Sequence, residues 1–173
     1  MKPEMRAEAL VDLLQLFEKA GIEMWLDGGW AVDALLGMQT RPHKDVDIIL
    51  RVADLPRLRD ILGDRGFEIR QGGTESNFVL ADLSGLEIDV HAIVFDLDGN
   101  GVYRMENGSD WIFPAAGFTG RGVVGEIGVR CLSPETQAPR SRVCSDREGL
   151  PRYGTAPGPL RCRSAAASVS QFN

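Results

Sequence analysis

Three acidic residues lie in apolar stretches of the chain, where an unpaired charge is costly. Asp45 and Asp47 are one residue apart in "DVDIIL", and Asp89 lies in "LEIDVHAI". Residues i and i+2 of a strand point to the same face, so the first two carboxylates should converge on one cation. Magnesium takes hard oxygen ligands and is typically held by one or two carboxylates plus substrate phosphates. If the strand of Asp89 pairs beside the first strand, the three acids form a magnesium site.

A glycine pair, Gly28-Gly29, precedes the acids, between a predicted strand and a predicted helix. A glycine-rich turn at a helix N-terminus offers backbone N–H groups and the positive end of the helix dipole to a phosphate. Glycine pairs are common in turns, so this pair alone would favour an ordinary tight turn. Combined with the acids, it indicates a nucleoside triphosphate as ligand.

Two further residues are candidates for contacting a substrate. His91 shares the predicted strand face of Asp89, and a structural role and a substrate contact are equally compatible with its position. Asp33 lies on the helix after the glycines and should face either the site or the solvent.

The elements that must position these residues alternate at first and then become all strand. Helical periodicity is present at 4–20, 30–37 and 53–66, with Gly37 as a C-cap and Asp54 as an N-cap. A loop at 39–44 leads into a strand at 45–52. This order predicts an α/β or α+β fold, a mixed β-sheet with helices packed on it. The remaining strands are predicted at 22–29, 67–71, 76–82, 86–95, 117–121 and 124–131, with a hairpin turn around Asn100-Gly101.

Composition excludes several classes of protein. The 173 residues, 43% hydrophobic and 25% charged, suit one globular domain with a real core. The net charge of -6 argues against sequence-independent nucleic-acid binding, although a small anionic ligand needs only a local basic pocket. Acidic residues interrupt the apolar N-terminal stretch, which predicts no signal peptide, no membrane span and a cytoplasmic location. The three cysteines form no CxxC pair, so neither a disulfide framework nor a zinc site is expected.

The character of the chain changes at Gln137. Residues 138–173 are rich in Arg, Pro, Ser and Gly and show neither helical nor strand periodicity. The chain therefore divides into a domain at 1–137 and an irregular tail at 138–173, which is either disordered or out of frame. With a suitable choice of codons for residues 148–157, the next reading frame encodes a helical segment. Because many codon choices are possible, this result suggests a frameshift but does not establish one. No functional residue is expected beyond Gln137.

The run "WLDGGWAVDALLGMQTRPHKDVDI" resembles the signature of the antibiotic nucleotidyltransferases, which belong to the polymerase-β-like nucleotidyltransferase superfamily. The closest resemblance is to the lincosamide nucleotidyltransferases of the LinA type, through "WLDGGW", "IDVHAI", a "DG" segment and "CLSPE". The aminoglycoside 2″-adenylyltransferases share a similar "GGWAxDxxLG" block. The resemblance covers residues 8–137 and is more specific for the superfamily than for the acceptor.

This resemblance implies the polymerase-β-like fold and a Mg²⁺-dependent transfer of AMP from ATP to a hydroxyl of a lincosamide antibiotic, with pyrophosphate release. Asp45, Asp47 and Asp89 would be the catalytic residues and metal ligands, and Asp89 is also the candidate general base.

The same resemblance assigns the remaining nucleotide contacts and an oligomeric state. Gly28 and Gly29 would bind the phosphates of ATP through backbone donors. Arg41 and Lys44 would neutralise triphosphate charge, although a solvated loop cation is an equally good interpretation of Lys44. The family also implies a homodimer, to which C-terminal helices contribute and in which the acceptor is bound.

Three alternatives remain at this point. An aminoglycoside acceptor would need extra acids, for which Glu87, Asp96, Asp98 and Glu106 are candidates. An antitoxin-type member would be non-catalytic or would modify a protein partner. A truncated, inactive product is the third alternative, because the family's C-terminal helices are missing or scrambled here. We therefore expect lowered stability or impaired activity.

Overall fold

The computed structural model describes residues 4–105 and 107–141. Its α-helices are α1 (Ala7–Lys19), α2 (Gly28–Leu36), α3 (Leu55–Gly63) and α4 (Pro134–Ser141). Short 3-10 helices span Val52–Asp54 and Ala115–Thr119. The strands are β1 (Met24–Asp27), β2 (Asp45–Arg51), β3 (Glu68–Thr74), β4 (Asn77–Ala81), β5 (Glu87–Phe95), β6 (Gly101–Arg104), β7 (Asp110–Phe113), β8 (Gly120–Val124) and β9 (Ile127–Cys131).

The strands form a mixed sheet in the order β3-β4-β5-β2-β1-β9-β8, and β6 and β7 extend it from the far end of β5. Strand β2 pairs with β5 in parallel, as β1 does with β9. The β1–β2, β4–β5 and β8–β9 pairs are antiparallel. This architecture confirms the predicted α+β mixed sheet, including the adjacency of the two acidic strands.

Alternation along the strands gives the sheet two different faces. On one face the helices pack on Val46, Ile48 and Leu50 of β2, in the larger hydrophobic core. Ile49, in contrast, belongs to a smaller apolar cluster on the opposite face. The alternate positions Asp45 and Asp47 continue this second face toward the start of β2. The helices therefore pack on the face of the sheet opposite to Asp45 and Asp47.

Several element boundaries differ from the predictions. Gly28 and Gly29 are the first two residues of α2 and do not form a turn before it. Asp54 precedes α3 but does not cap it, since its carboxylate accepts a hydrogen bond from Arg51 Nε at 2.9 Å. Gly37 does end α2 in the left-handed conformation, with φ +70°, as predicted.

The described region after β5 contains two strands, β6 and β7, that are not among the predicted strands. Strand β7 is mostly exposed, so it lacks the alternating pattern that reveals a half-buried strand. The turn before β6 has Gly99 in the left-handed conformation, with φ +81°, and Gly101 already belongs to the strand. Residues 115–119, which overlap a predicted strand, form a 3-10 helix.

Helix α4 runs past the predicted domain boundary at Gln137 and ends at Ser141. The rest of the predicted tail, residues 142–173, lies outside the described residues, as does Glu106. Among the described helices, none has the length and apolar character needed to cross a membrane.

Candidate active site

Neighbouring strands bring acidic residues into one row across the sheet. Asp27 is paired in register with Asp47 on the adjacent strand, and Asp47 with Asp89 on the next. Because paired residues share a face, the three carboxylates point to the same side. His91 lies two residues beyond Asp89 and joins that side. Asp45, two residues before Asp47, is on the same side and is paired with Glu87 in the neighbouring row.

The side chains of Asp47, Asp89 and His91 form a compact group whose ligand atoms all lie within 4.8 Å of one another. His91 Nε2 is 3.7 Å from an oxygen of Asp89 and 4.0 Å from an oxygen of Asp47. The structure thus brings together the second and third predicted acids. Asp45 is not a member of this group, and His91, a predicted substrate contact, takes its place.

The absence of a side chain at Gly28 leaves room for the Asp47 carboxylate. A Cβ atom on Gly28 would collide with Asp47 Oδ2 and would lie 2.9 Å from Asp47 Cγ. Gly28 also has φ +61°, which L side chains rarely adopt. Two carboxylates beside a helix N-terminus suit Mg²⁺ that also binds a phosphate. An imidazole is an uncommon Mg²⁺ ligand, so His91 fits better as a neighbour of the carboxylates.

Burial and mutual repulsion shift the pKa values of the group. Burial, joined by the charges of Asp47 and Asp45 and opposed by that of His91, raises the pKa of Asp89 to about 6. Burial would lower the pKa of His91, but the nearby carboxylates of Asp47 and Asp89 outweigh burial and raise it. The pKa of Asp45 is raised, first by burial and then by Asp47. The group therefore retains protons close to neutral pH in the absence of a cation.

The start of α2 lies against this group, but its two glycines are not equivalent. The N–H of Gly28 donates to Oδ1 of Asp27 at 2.8 Å, so a phosphate would have to displace that bond. Gly29 lies against the guanidinium group of Arg41, because a Cβ atom there would be 2.5 Å from Arg41 Nη2 and 2.6 Å from His43 Cε1. The structure therefore places Arg41 beside the glycine pair, as a phosphate contact requires.

Asp33 organises the loop that carries Arg41. It is 2% exposed, and its carboxylate accepts from the backbone N–H and the hydroxyl of Thr40, at 3.0 and 2.6 Å. It also lies 2.6 Å from His43 Nε2. Burial would raise the pKa of Asp33, but the hydrogen bonds from His43 and Thr40 outweigh it and lower the pKa. The prediction that Asp33 faces the site or the solvent is thus corrected: its carboxylate supports the loop.

Lys44, at the end of the same loop, is half exposed and forms an ion pair with Glu87 at 2.5 Å. The hydrogen bond to Glu87 is the largest influence on the pKa of Lys44 and raises it. A phosphate would therefore compete with Glu87 for this ammonium group. The structure does not bring Lys44 to the glycine pair in the way that it brings Arg41.

Sequence reasoning missed Asp27 and Gln137, which are hydrogen-bonded to each other. Asp27 is 1% exposed, and its Oδ1 accepts from Gln137 Nε2 at 3.0 Å. A signal for Asp27 was present, since an aspartate directly before a helix is a typical N-cap. No local signal marks Gln137, because its partner lies 110 residues away along the chain.

The fold and the site together define the class of protein as a nucleotidyltransferase. The structure is similar to a crystal structure of the lincosamide antibiotic adenylyltransferase LnuA with lincomycin bound, at TM-score 0.71 and 29% identity over 79% of this chain and 85% of that one. It shares its fold with ANT(2")-Ia in complex with adenylyl-2"-tobramycin, at TM-score 0.61 and 22% identity over 76% of this chain and 71% of that one.

Residues 9–142 match the family model of the aminoglycoside-2''-adenylyltransferases, and the chain belongs to that family. It is 30% identical over 125 residues to a lincosamide resistance protein of Staphylococcus haemolyticus, covering 72% of this chain and 77% of that protein. It is 36% identical over 59 residues to a 2''-aminoglycoside nucleotidyltransferase of Escherichia coli, covering 32% of this chain and 33% of that protein. The chain is thus a nucleotidyltransferase of an antibiotic-modifying family.

Proposed function

We propose that this protein transfers AMP from ATP to a hydroxyl group of a lincosamide antibiotic, using Mg²⁺ and releasing pyrophosphate. The observation that carries the proposal is the pairing of Asp47 with Asp89 on adjacent parallel strands, directly in front of the first turn of α2. The similarity to lincosamide-modifying relatives supports the choice of acceptor.

Asp47 and Asp89 would hold the cation, which when bound neutralises triphosphate charge and stabilises the attacking and leaving oxygens. Asp45, outside the compact group, would add negative potential at its edge. Arg41 would contact the phosphates from above Gly29 through a charge-assisted hydrogen bond. These roles place the nucleotide between the acidic row and the start of α2.

In the transfer, the antibiotic hydroxyl oxygen bonds to the α-phosphorus while the bond from that phosphorus to the pyrophosphate oxygen breaks. The hydroxyl proton must leave as its oxygen attacks, and an unassisted sugar hydroxyl is a poor nucleophile at neutral pH. Asp89 is suited to accept the proton through an oxygen that does not bind the cation, because burial makes this carboxylate more basic than an exposed one. His91 would then stabilise whichever neighbouring carboxylate carries the charge.

A mainly apolar cavity near the site favours a lincosamide over an aminoglycoside. Its volume is about 420 Å³, within the usual range for small-molecule sites. It adjoins the site through the β6–β7 hairpin: Tyr103 packs edge-on against His91 at 5.6 Å and is paired in register with Trp111, which lines the cavity. A lincosamide carries an apolar arm that such walls can bury, whereas an aminoglycoside is a polycation. The lining includes Trp111, Ile112, Phe113, Pro114, Ala116 and Glu135.

Two of the acids proposed for binding an aminoglycoside, Glu87 and Asp96, already form an ion pair or hydrogen bonds within the chain. Glu87 pairs with Lys44, and Asp96 accepts hydrogen bonds from the N–H groups of Asp98 and Asn100 within its own turn. Asp98 is exposed in the same turn. Their geometry fits ion pairing and turn formation better than an acceptor pocket.

The test offers the purified protein Mg²⁺-ATP with an equimolar mixture of lincomycin and tobramycin and identifies the products by mass spectrometry. We expect AMP on lincomycin. A Trp111→Ala variant should raise KM for lincomycin and leave KM for ATP unchanged. AMP on tobramycin would reassign the acceptor, and AMP on protein would support the antitoxin-type alternative.

A further inference from the structure

Asp27 is a buried acid at the point where β1 becomes α2. It is 1% exposed, and burial of a carboxylate is costly unless polar partners surround it. Its pairing in register with Asp47 places it in the acidic row, next to a residue proposed to hold the metal.

One oxygen of Asp27 joins three elements of the fold. Oδ1 accepts from the N–H of Gly28, in the first turn of α2, and from Nε2 of Gln137, in α4. The distances are 2.8 and 3.0 Å, so both are good hydrogen bonds. Gln137 is 4% exposed, which protects its bond from competition with water.

The orientation of the Asp27 side chain can affect the position of Asp47 through Gly28, which contacts both residues. Asp27 fixes the N–H of Gly28, and the Cα hydrogens of Gly28 lie against the carboxylate of Asp47. A rotation of Asp27 would therefore move the glycine that sets the space for Asp47. The negative charge of Asp27 also acts on Asp89 and His91, whose pKa values it raises.

We propose that Asp27 is a positioning residue for the metal ligand Asp47, and that Gln137 holds Asp27 in place, so that α4 is a working part of the nucleotidyl-transfer site. This inference rests on the proposed function. Partners that orient metal ligands typically change metal affinity or activity by about 10–100-fold when removed. We expect effects of that size from Asp27 and Gln137, which lie outside the group of Asp47, Asp89 and His91.

The test compares three variants by two measurements: calorimetric titration with Mn²⁺, a convenient substitute for Mg²⁺, and the KM for ATP. Gln137→Glu places two carboxylates face to face and should weaken Mn²⁺ binding and raise KM by roughly 10–100-fold. Gln137→Ala introduces no charge, should weaken binding by about 10-fold, and decides the question if Gln137→Glu fails to fold. Asp27→Asn tests the charge alone.

Asp27→Asn separates the charge of this residue from its position. An amide oxygen at position 27 can take the place of Oδ1 and accept from both the N–H of Gly28 and Nε2 of Gln137. We therefore expect this variant to lose less Mn²⁺ affinity than Gln137→Ala, and a larger loss would contradict positioning as the main role of Asp27.

Two control variants separate positioning from general stability. Gln15→Glu makes the same chemical change on the exposed side of α1, and Leu13→Ala removes core volume from the buried side of that helix. Both should keep wild-type Mn²⁺ affinity at a temperature where they are folded. Wild-type affinity in folded Gln137→Ala and Gln137→Glu would overturn the inference. A wild-type protein that binds Mn²⁺ but modifies no antibiotic would overturn the proposed function instead, and the Mn²⁺ affinities would still decide the role of Asp27.

Discussion

Replacing Gly28 with alanine should damage the metal site more than the fold. Gly28 has φ +61°, where a residue with a Cβ atom costs roughly 1–3 kcal/mol. In addition, the new Cβ would collide with Asp47 Oδ2, and the carboxylate would have to rotate away from Asp89 and His91. The first effect lowers stability, whereas the second removes a proposed metal ligand from its position.

The chain offers a matched control for the backbone effect. Gly37 has φ +70°, but nothing lies within 4 Å of a Cβ atom placed there. Gly37→Ala should therefore lose a similar 1–3 kcal/mol of stability, measured by urea unfolding, and about 2–12 °C in Tm for a chain of this size. It should keep the wild-type affinity for Mn²⁺ and the wild-type kcat/KM.

For Gly28→Ala we expect the same loss of stability together with a 10–100-fold or greater loss of Mn²⁺ affinity and kcat/KM. Calorimetry and steady-state kinetics on the three proteins, at one temperature below all three Tm values, provide the comparison. If Gly28→Ala matched Gly37→Ala in metal affinity, the assignment of Gly28 as the residue that makes room for Asp47 would be refuted.

Three further predictions concern the surroundings of the site. Lys44→Ala should lower the unfolding free energy by less than about 1 kcal/mol, since Lys44 is half exposed and paired with Glu87. It should also raise KM for ATP less than Arg41→Ala does, and the opposite order in ATP kinetics would contradict this. Asp33→Ala should lower the unfolding free energy by about 3–5 kcal/mol, measured in urea, because it leaves buried groups of the loop unpaired; a loss under about 1 kcal/mol would argue against that role. Mg²⁺ should raise Tm clearly at pH 8 and little at pH 5, because Asp89, with a pKa of about 6, is ionised above that pH and binds a competing proton below it; equal rises at both pH values would count against Asp89 as a ligand.

The parts of the site that could be predicted from the sequence are those with a local pattern. The alternation in "DVDIIL" and "LEIDVHAI" correctly predicted two strands that bring Asp47 and Asp89 together. The glycine pair was predicted to contact a phosphate, and that contact stays a prediction; at Gly28 the group in close approach is a carboxylate of the chain itself. Short periodicities carry this information because they depend only on strand and helix geometry.

The parts that could not be predicted depend on contacts between distant residues. Nothing near Gln137 indicates that its amide group reaches Asp27, and nothing near Asp33 shows that its carboxylate is turned toward Thr40 and His43. Strand β7 escaped detection because its residues are mostly exposed and therefore show no alternation. Tertiary packing decides these features, and local patterns in a single sequence do not predict it.

Pyrophosphate release from Mg²⁺-ATP in the presence of lincomycin tests the central claim most directly. The comparison is between the wild-type chain and Asp47→Asn, which keeps the shape of the side chain and removes a proposed ligand charge. We predict lincomycin-dependent release from the wild type and none above background from Asp47→Asn. Equal release from both proteins would contradict the assignment of the acidic row as the site of nucleotidyl transfer.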